Sequence, residues 1–457
     1  MRAEWLEDLV AHREAALARL GELLSIPSVS TLPEHEGDMQ RAAEWLSREM
    51  EASGFHPRIE KTARHPVVWG RSPHQPGRPS VLIYAHYDVQ PADPLELWTS
   101  PPFSPTIRDG QLFARGVSDD KGQLVMHLAA LDSFRRLRGD FPANITLVFE
   151  GEEEIGSPNL PDFIRRHREE LRADAVIISD TTMQAPNHPI LVTGLRGMAG
   201  FEVIVAGPQR DVHSGLFGGA IANPAQALCQ MLAACHDRPG HVAIPGFYDG
   251  VEPPPAAELA SWQAGAVDPD LILAATGATS LAGEEEYSLA ERLWSRPTLE
   301  VNGISAGVRE GQKTIIPATA RAAITCRLVV GQDPERISAL VEKFLAERAP
   351  AGVSVQVIRH QASPASQVPI DSKAAKLALA ALADGFGHPA QTVRGGASIP
   401  IVPVFQDVLE APVLLMGFGL ETDNFHSPDE HWRLDHFDGA LATMLSFWSS
   451  LAAGGLS

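Results

Sequence analysis

The stretch "NITLVFEGEEEIGS", residues 144–157, combines a buried-strand pattern with a dense group of carboxylates. The apolar run at residues 145–149 is typical of a strand inside a hydrophobic core. Four glutamates follow it directly: Glu150, Glu152, Glu153 and Glu154. Like charges this close repel one another, so the folded protein needs a counter-charge where this strand ends.

The length and charge of the chain limit its architecture and its partners. At 457 residues the chain exceeds what one hydrophobic core usually supports, so two domains are expected. The 37 Lys and Arg against 57 Asp and Glu give a formal charge of −20. Nucleic acids and anionic membranes are bound by clustered Lys and Arg, so neither is expected as a partner.

Cysteine usage and the N-terminus indicate a cytoplasmic protein. The cysteines Cys229, Cys235 and Cys326 form no CxxC pair, and three cannot all be paired in disulfides. This usage fits a reducing compartment. The first 20 residues alternate apolar and charged residues at helical spacing, unlike a signal peptide. No stretch approaches the roughly 18 apolar residues of a membrane span.

The strand and helix patterns predict two kinds of domain. Up to residue 193, short apolar strands such as "PSVLIYAHYDV" alternate with helices, and a hairpin turns at Asp109-Gly110. This predicts an α/β domain with a mostly parallel central sheet flanked by helices. Residues 194–365 instead show longer alternating strands with helices, which predicts a smaller two-layer α+β domain. The first pattern returns from residue 366, so a discontinuous domain of residues 1–193 and 366–457 is expected to carry 194–365 as an insertion.

Histidines and acids follow several of the predicted strands in the α/β domain. Ligands bind at the carboxyl ends of strands in such sheets. The strand-end residues are His86 and Asp88, the glutamates at 150–154, Asp180, and His426 after "VLLMGFG". Asp119 and Asp120 open the helix that follows "RGVSDDKG". Each alone has an ordinary explanation as a loop residue or a helix cap, but together they favour a metal site, where a divalent cation removes the repulsion.

The ligand types indicate which metal is expected. Imidazole with carboxylate and no nearby cysteine favours zinc, with manganese or cobalt as alternatives, over an iron–sulfur or calcium site. Five candidate ligands exceed the needs of one catalytic zinc, so two metals sharing a carboxylate are expected. Adjacent residues of an extended chain point in opposite directions. If Glu154 reaches a metal, Glu153 is therefore free to act as a base, and Glu152 is expected to be solvated or to support the ligands.

Six motifs in order give the sequence a resemblance to a known family. They are "YAHYDVQP", "ARGVSDDKGQ", "EGEEEIGS", "ISD", "DVHSGLFGG" and "FHSPDEH". The chain, from about residue 15 to 450, resembles the dinuclear zinc family of aminoacylases, glutamate carboxypeptidases and cytosolic nonspecific dipeptidases (carnosinases). The resemblance implies a catalytic domain with two metal ions and an inserted lid domain that makes a homodimer.

The resemblance also implies roles for individual residues around the metals. The implied ligand sets are His86, Asp119 and Asp180 for one metal, and Asp119, Glu154 and His426 for the other. Asp119 would bridge the two ions. Glu153 corresponds to the general base, and Asp88 to the residue that orients His86. The peptide bond between Asp119 and Asp120 is expected to be cis.

The same resemblance implies substrate contacts in the inserted domain. His213 is expected to cross the dimer interface and polarise the scissile carbonyl of the partner's substrate. Arg327 is expected to clamp the terminal carboxylate of the substrate. Thr314 and Ser398 match further substrate contacts. Without the resemblance, His213 would be interpreted as a loop histidine and Arg327 as an exposed arginine on a half-buried strand.

The sequence therefore predicts a metal-dependent dipeptidase that hydrolyses dipeptides or short peptides. The stretches "IPGFYDGVEPPP" and "GGASIP" are typical of the dipeptidase branch. An N-acyl-amino-acid deacylase of the acetylornithine or succinyl-diaminopimelate type stays open, because both reactions attack an amide in the same way. A non-catalytic binding protein is disfavoured because every expected ligand and the base are present.

A serine hydrolase is also considered, because residues 303–307 satisfy the pattern G-x-S-x-G. A nucleophile elbow needs a strand before the serine and a helix after it. The following residues, "VREGQKTIIP", make a poor helix, so the match is interpreted as chance.

Overall fold

The structure, a computed structural model, describes residues 2–264, 267–307, 313–368, 370–396 and 399–456. The chain forms two compact units. The first unit consists of Met1–Thr193, Val368–Val393 and Ile401–Ser457, and the second of Gly194–Gln367 and Arg394–Pro400. The sequence pattern does not indicate that the short segment Arg394–Pro400 joins the second unit.

The helices and strands are named in chain order. The helices are α1 (Arg2–Leu24), α2 (Glu36–Ala52), α3 (Lys121–Arg138), α4 (Leu160–Arg166), α5 (Ser214–Phe217), α6 (Pro224–Ala233), α7 (Ala256–Ala264), α8 (Pro269–Thr276), α9 (Leu289–Trp294), α10 (Pro334–Arg348), α11 (Lys373–Phe386), α12 (Ile401–Leu409) and α13 (Leu434–Ala452). The strands are β1 (His56–Glu60), β2 (Val67–Arg71), β3 (Ser80–His86), β4 (Thr106–Arg108), β5 (Gln111–Phe113), β6 (Asn144–Glu150), β7 (Ala175–Ile178), β8 (Thr182–Met183), β9 (Ile190–Leu195), β10 (Gly197–Ala206), β11 (Val212–His213), β12 (His236–Arg238), β13 (His241–Val242), β14 (Thr298–Ala306), β15 (Ile315–Ile316), β16 (Thr319–Leu328), β17 (Ser354–Ser363), β18 (Ser366–Gln367), β19 (Gln391–Gly395), β20 (Val413–Leu415), β21 (Gly419–Leu420) and β22 (His431–Arg433). Among the helices of the described residues, none combines the length and the apolar character that a membrane span requires.

A mixed sheet forms the centre of the first unit. Seven of its strands hydrogen-bond in the order β1-β2-β6-β3-β7-β20-β9, and β18 and β19 both pair with β9. The four central strands β6, β3, β7 and β20 run parallel, while β1, β2 and β9 pair antiparallel at the two sides. The α/β class is thus confirmed, and the parallel part of the sheet lies at its centre. Strands β6 and β7 are almost wholly buried, as expected where helices cover both faces.

Helix packing places the start of α3 next to the strand ends. The side chains of α3 from Leu124 to Leu131 are buried, and their core also includes residues of α1 and α13. Directly before them, the buried amine of Lys121 donates hydrogen bonds to two carbonyl oxygens. One belongs to Leu23, in the last turn of α1 (3.1 Å), and the other to Ile26, two residues beyond its end (2.7 Å). These bonds fasten the first residue of α3 to the end of α1 and to the chain just beyond it.

The predicted hairpin is confirmed. Strands β4 and β5 pair antiparallel around Asp109 and Gly110, whose φ angles are 48° and 76°. Two successive positive φ angles are typical of the tight turns that suit the twist of a hairpin. Strand β22 pairs with β5, which brings the chain after His426 into the same small sheet.

The second unit has its own antiparallel sheet, with strands in the order β14-β16-β10-β17. Burial alternates along β16, so one face of the sheet is apolar. That face shares a core with α6 and α10, through residues such as Phe201, Met231 and Val341. Strand β14 lies at the edge of the sheet and is exposed from Glu300 to Ala306.

Candidate metal centre

Ligand-type side chains gather at the carboxyl ends of the parallel strands. Strand β3 ends at His86, and Asp180 lies two residues beyond β7. Beyond β6, Glu153 and Glu154 lie in a short 3-10 turn. Parallel strands end at the same edge of a sheet, so these side chains are brought together there. Asp119 comes to this edge from the start of α3.

Two groups of side chains share Asp119. In the first group, His86 Nε2 lies 2.9 Å from Asp119 Oδ1 and 3.9 Å from Asp180 Oδ2. In the second, His426 Nε2 lies 2.9 Å from Asp119 Oδ2 and 3.3 Å from Glu154 Oε2. The donor atoms within each group lie within 4.8 Å of one another. Each carboxylate oxygen of Asp119 therefore faces a different imidazole.

The protonation of these groups reflects the crowding of negative charge. Burial, followed by the charge of Asp119, raises the pKa of Asp180 to about 7. Burial and the charge of Asp180 raise the pKa of Glu153 well above its ordinary value. Hydrogen bonds to Asp119 and Glu154 raise the pKa of His426 to about 10. The raised pKa values favour retained protons on these groups, which limits the repulsion among the carboxylates.

The donor set fits two divalent cations. It comprises two imidazoles and three carboxylates, a combination suited to zinc, manganese or cobalt. Among the described residues, His86 and His426 are the ion-pair partners of these carboxylates, which are Asp119, Asp180 and Glu154. Imidazole is itself a common metal ligand. Cations bound to the two groups would replace the retained protons as the counter-charge.

Asp88 contacts both His86 and the glutamate turn. His86 Nδ1 lies 3.0 Å from the backbone oxygen of Asp88 and 3.5 Å from its carboxylate. A proton on Nδ1 donated to this oxygen leaves the Nε2 lone pair available to a metal. The buried carboxylate of Asp88 accepts hydrogen bonds from the backbone N–H of Glu153 (3.2 Å) and Glu154 (3.1 Å). Asp88 thus holds the turn that carries the expected base, a contact that the sequence does not indicate.

The structure excludes one of the two roles expected for Glu152, that of a solvated residue. It is not solvated: it is 2% exposed and accepts hydrogen bonds from Thr62 Oγ1 (2.7 Å) and the backbone N–H of His65 (2.8 Å). Asn159 Nδ2 donates to it as well, at 2.8 Å. The carboxylate joins three pieces of chain behind the glutamate turn, so it supports the site without facing it.

One residue near the centre, Gln90, was not singled out by the sequence. Gln90 Nε2 donates a hydrogen bond to Glu154 Oε2 at 2.8 Å. Its place in "YAHYDVQP" is the signal that could have identified it. Asp120 Oδ2 accepts from the backbone N–H of His86 at 3.2 Å, and the peptide bond between Asp119 and Asp120 is cis, as the resemblance implies.

The expected substrate residues lie in the second unit. Strands β11 and β15 pair His213 with Ile315, and the backbone N–H of Ser214 donates to the oxygen of Thr314 at 2.9 Å. These bonds bring the chain at His213 and Thr314 together. Ser398 lies outside the described residues.

Arg327 has a second arginine near it that the sequence reasoning missed. Arg327 lies opposite Met198 on the neighbouring strand, two residues from Arg196. Burial and the charge of Arg327 lower the pKa of Arg196 to about 10. The charge of Glu300 acts on Arg196 in the opposite direction, so two guanidinium groups and one carboxylate lie in this region.

The interpretation of the G-x-S-x-G match as chance agrees with the structure. Ser305 lies inside the exposed edge strand β14, in the described part of the chain. A nucleophile elbow would place the serine at a sharp turn between a strand and a helix.

Comparisons with known proteins agree with this geometry. The sequence model of peptidase family M20/M25/M40 matches residues 82–450. The Cys-Gly metallodipeptidase of Saccharomyces cerevisiae is 33% identical over 459 residues, which cover 94% of this chain and 94% of that protein. The human Beta-Ala-His dipeptidase is 30% identical over 372 residues, covering 80% of this chain and 73% of that protein. The crystal structure of an M20 family metallo-carboxypeptidase from Sulfolobus solfataricus has a TM-score of 0.87 at 30% identity and covers 96% of this chain and 99% of that chain.

Proposed function

The chain belongs to peptidase family M20/M25/M40, and on that basis we propose that it is a metal-dependent dipeptidase. Its substrates are dipeptides or short peptides, as the names of the yeast and human relatives suggest. The observation that carries the proposal is the position of Asp119, with one carboxylate oxygen 2.9 Å from each of two imidazoles. A bridging carboxylate between two such groups suits a pair of metal ions.

Two divalent ions, zinc or else manganese or cobalt, are the proposed cofactors. His86, Asp119 and Asp180 would hold one ion, and Asp119, Glu154 and His426 the other. When bound, the ions lower the pKa of water and polarise a substrate carbonyl. Asp88 keeps the ring of His86 oriented for this role.

Glu153 is the proposed general base. It takes a proton from the attacking water and passes it to the leaving amine nitrogen, so the peptide bond breaks with no net change in the enzyme. Its backbone N–H is held by Asp88, which fixes the turn from which its side chain projects. Burial and the charge of Asp180 raise the pKa of Glu153, which increases its proton affinity, and nearby cations would lower that pKa.

Residues of the second unit are proposed to bind the substrate. His213 polarises the scissile carbonyl of the partner subunit's substrate. Arg327 clamps the terminal carboxylate, with Thr314 and Ser398 as further contacts. The nearby guanidinium of Arg196 supports an anion-binding role for this region, because it adds a second positive charge.

A homodimer formed through the second unit is part of the proposal. The edge strand β14 exposes Val301 (41%) and Ile304 (55%). Next to His213, Leu216 and Phe217 are 74% and 44% exposed. An unpaired strand edge and exposed apolar side chains favour association with another chain, here a second copy. The cytoplasm is the proposed location, in keeping with the unpaired thiols of Cys229, Cys235 and Cys326.

The test is amine release from a panel of substrates by protein reconstituted with Zn²⁺, Mn²⁺ or Co²⁺. The panel contains dipeptides, tripeptides and N-acetylated amino acids, and each reaction has a matched sample with a chelator. We expect cleavage of dipeptides that the chelator abolishes. Cleavage of the acetylated amino acids alone would move the protein to the deacylase branch. Two bound metal ions without turnover of any amide would contradict an enzymatic role.

A further inference from the structure

A buried carboxylate behind the candidate metal centre joins two loops that each carry a ligand. Glu430 is 0% exposed and lies four residues after His426. Its Oε1 accepts hydrogen bonds from the backbone N–H of Ser118 (3.0 Å) and Asp119 (3.2 Å). Its Oε2 accepts from the backbone N–H of Gly116 (2.8 Å). One side chain from the His426 loop therefore binds three amides of the Asp119 segment.

Arg115 completes this arrangement. Its Nη1 donates to Glu430 Oε2 at 2.7 Å, and both side chains of the pair are 1% exposed. The backbone oxygen of Glu430 accepts from the N–H of Ala114 at 3.1 Å. A buried carboxylate with four donors is strongly oriented, because each hydrogen bond to a charged group is stronger than a neutral one.

The other end of the His426 loop is tied to the same segment. Asp423 Oδ2 accepts from Ser118 Oγ at 3.1 Å and from the N–H of Leu420 at 2.8 Å. Between the two anchors, Asn424, His426 and Asp429 have positive φ angles of 60°, 56° and 57°. Residues with a Cβ adopt this conformation less readily than glycine, although Asn, Asp and His adopt it more often than other residues. The 53% exposed side chain of His426 depends on these anchors for its position.

We infer that Glu430 is a positioning residue for the metal centre. It sets the spacing between Asp119 and His426 by holding the backbone of the Asp119 segment. The inference rests on the proposed function, because it assumes that both side chains bind metal. Glu430 acts without touching either ligand side chain. When the amides of the Asp119 segment lose this acceptor, the Asp119 carboxylate and the His426 imidazole are no longer held 2.9 Å apart.

Asp429 offers a matched control one residue away. Its carboxylate accepts from the backbone N–H (2.9 Å) and the hydroxyl (2.6 Å) of Thr99. It also lies 3.6 Å from Arg108 Nη2, and neither Thr99 nor Arg108 belongs to a segment that carries a ligand. Asp429→Asn therefore makes the same carboxylate-to-amide exchange in the same loop, without affecting the link between Glu430 and the Asp119 segment.

The experiment compares metal affinity in full-length wild type, Glu430→Gln and Asp429→Asn. Zn²⁺ affinity is measured by competition with a chromophoric chelator, and Co²⁺ absorption reports the coordination. In Glu430→Gln one of the two oxygens becomes an NH2 group, which faces N–H donors whichever way the amide turns. We therefore expect Zn²⁺ to bind about 10–100-fold more weakly. Asp429→Asn should keep the wild-type affinity. The metal concentration for half-maximal activity should rise in parallel in Glu430→Gln, while kcat at saturating metal changes less.

The outcomes separate positioning from a merely structural role. A lower melting temperature of Glu430→Gln with wild-type Zn²⁺ affinity would overturn the inference. If the single variant does not fold, the double variant Arg115→Met with Glu430→Gln removes the stranded buried charge. That variant should also bind Zn²⁺ more weakly, and wild-type affinity in it would equally overturn the inference. Failure of the wild type to bind two Zn²⁺ ions would instead contradict the proposed function.

Discussion

The glutamates of residues 150–154 take different roles because each meets different partners. Glu150 is buried and accepts hydrogen bonds from Tyr84 Oη (2.5 Å) and Ser157 Oγ (2.8 Å). Burial raises the pKa of Glu150 to about 8. Glu152 binds loop amides, while Glu154 lies 3.3 Å from His426. Only Glu153 is left for proton transfer at the proposed site, so the chemistry of a glutamate here follows from its neighbours.

Replacing Glu153 tests its role as a base. Glu153→Gln should keep two bound metal ions, because the exchange leaves the proposed ligands intact. Dipeptide turnover should fall about 10²–10⁴-fold, the usual contribution of general acid–base catalysis. Metal content is measured by elemental analysis and turnover by amine release, with Glu169→Gln as the same exchange at an exposed position. Retained turnover in Glu153→Gln would assign the base to another group.

A buried histidine away from the centre predicts sensitivity to acid. His436 is 0% exposed, and in the described structure neither of its ring nitrogens has a hydrogen-bond partner. Burial lowers its pKa to about 4, against about 6.5 in an unfolded chain. Between these pH values the unfolded chain binds more protons, so the free energy of unfolding falls as the pH falls, by up to about 1.4 kcal/mol per unit.

His436→Leu should therefore reduce the loss of stability between about pH 6.5 and pH 4. Urea unfolding at several pH values in this window gives the free energy of unfolding of wild type and variant. The wild-type curve should be the steeper one. Parallel curves for wild type and His436→Leu would show that His436 is not responsible.

Among the structural elements, the close approach of the segments that follow β7 and β20 fixes the backbone beside Asp180. Strand β20 pairs with β7, and beyond them β21 pairs with β8. A Cβ on Gly417, between β20 and β21, would lie 1.7 Å from the carbonyl oxygen of Thr181, the residue after Asp180. A side chain and this backbone cannot share that space, so the close approach of the two segments depends on glycine.

Gly417→Ala should displace the backbone beside Asp180. We expect the free energy of unfolding to fall by about 1–3 kcal/mol, as in other overpacked sites, and metal binding to weaken as well. Gly21→Ala is the control, because no described atom lies within 4 Å of the new methyl group in helix α1. That exchange should stabilise the protein by up to about 1 kcal/mol. Equal stability of Gly417→Ala and wild type in urea would contradict the steric argument.

For the whole molecule, the proposed chemistry is divided between the two units. The proposed metal ligands and Glu153 belong to the first unit, and His213, Thr314 and Arg327 belong to the second. If His213 serves the partner's site, a mixed dimer of His213→Ala and Glu153→Gln chains contains one complete site. Neither parent dimer contains any.

Mixing the two inactive variants should therefore restore activity. Random mixing gives complete sites at roughly a quarter of the wild-type number, because half of the dimers are mixed and each has one such site. The mixed dimers are isolated with two different affinity tags, and their dipeptide turnover is compared with that of each parent. Isolated mixed dimers as inactive as the parents would argue that each site is complete within one chain.

The sequence was sufficient for the α/β class, the hairpin at Asp109-Gly110 and the acids and histidines at the strand ends. These features are local: the spacing of apolar residues fixes a strand, and whatever follows a parallel strand emerges at its carboxyl end. Periodicity carries less information on how strands pair, so the antiparallel β1, β2 and β9 beside the parallel centre were not foreseen.

Tertiary structure alone decided which carboxylates support the centre. Glu430 binds amides more than 300 positions earlier in the chain. Glu152 accepts a hydrogen bond from the backbone N–H of His65, which is 87 positions away. Local sequence does not encode such partners, because a carboxylate looks the same in a pattern whether it faces water or three buried N–H groups. Burial removes water as an alternative partner, so in the folded chain these long-range hydrogen bonds determine the role of each acid.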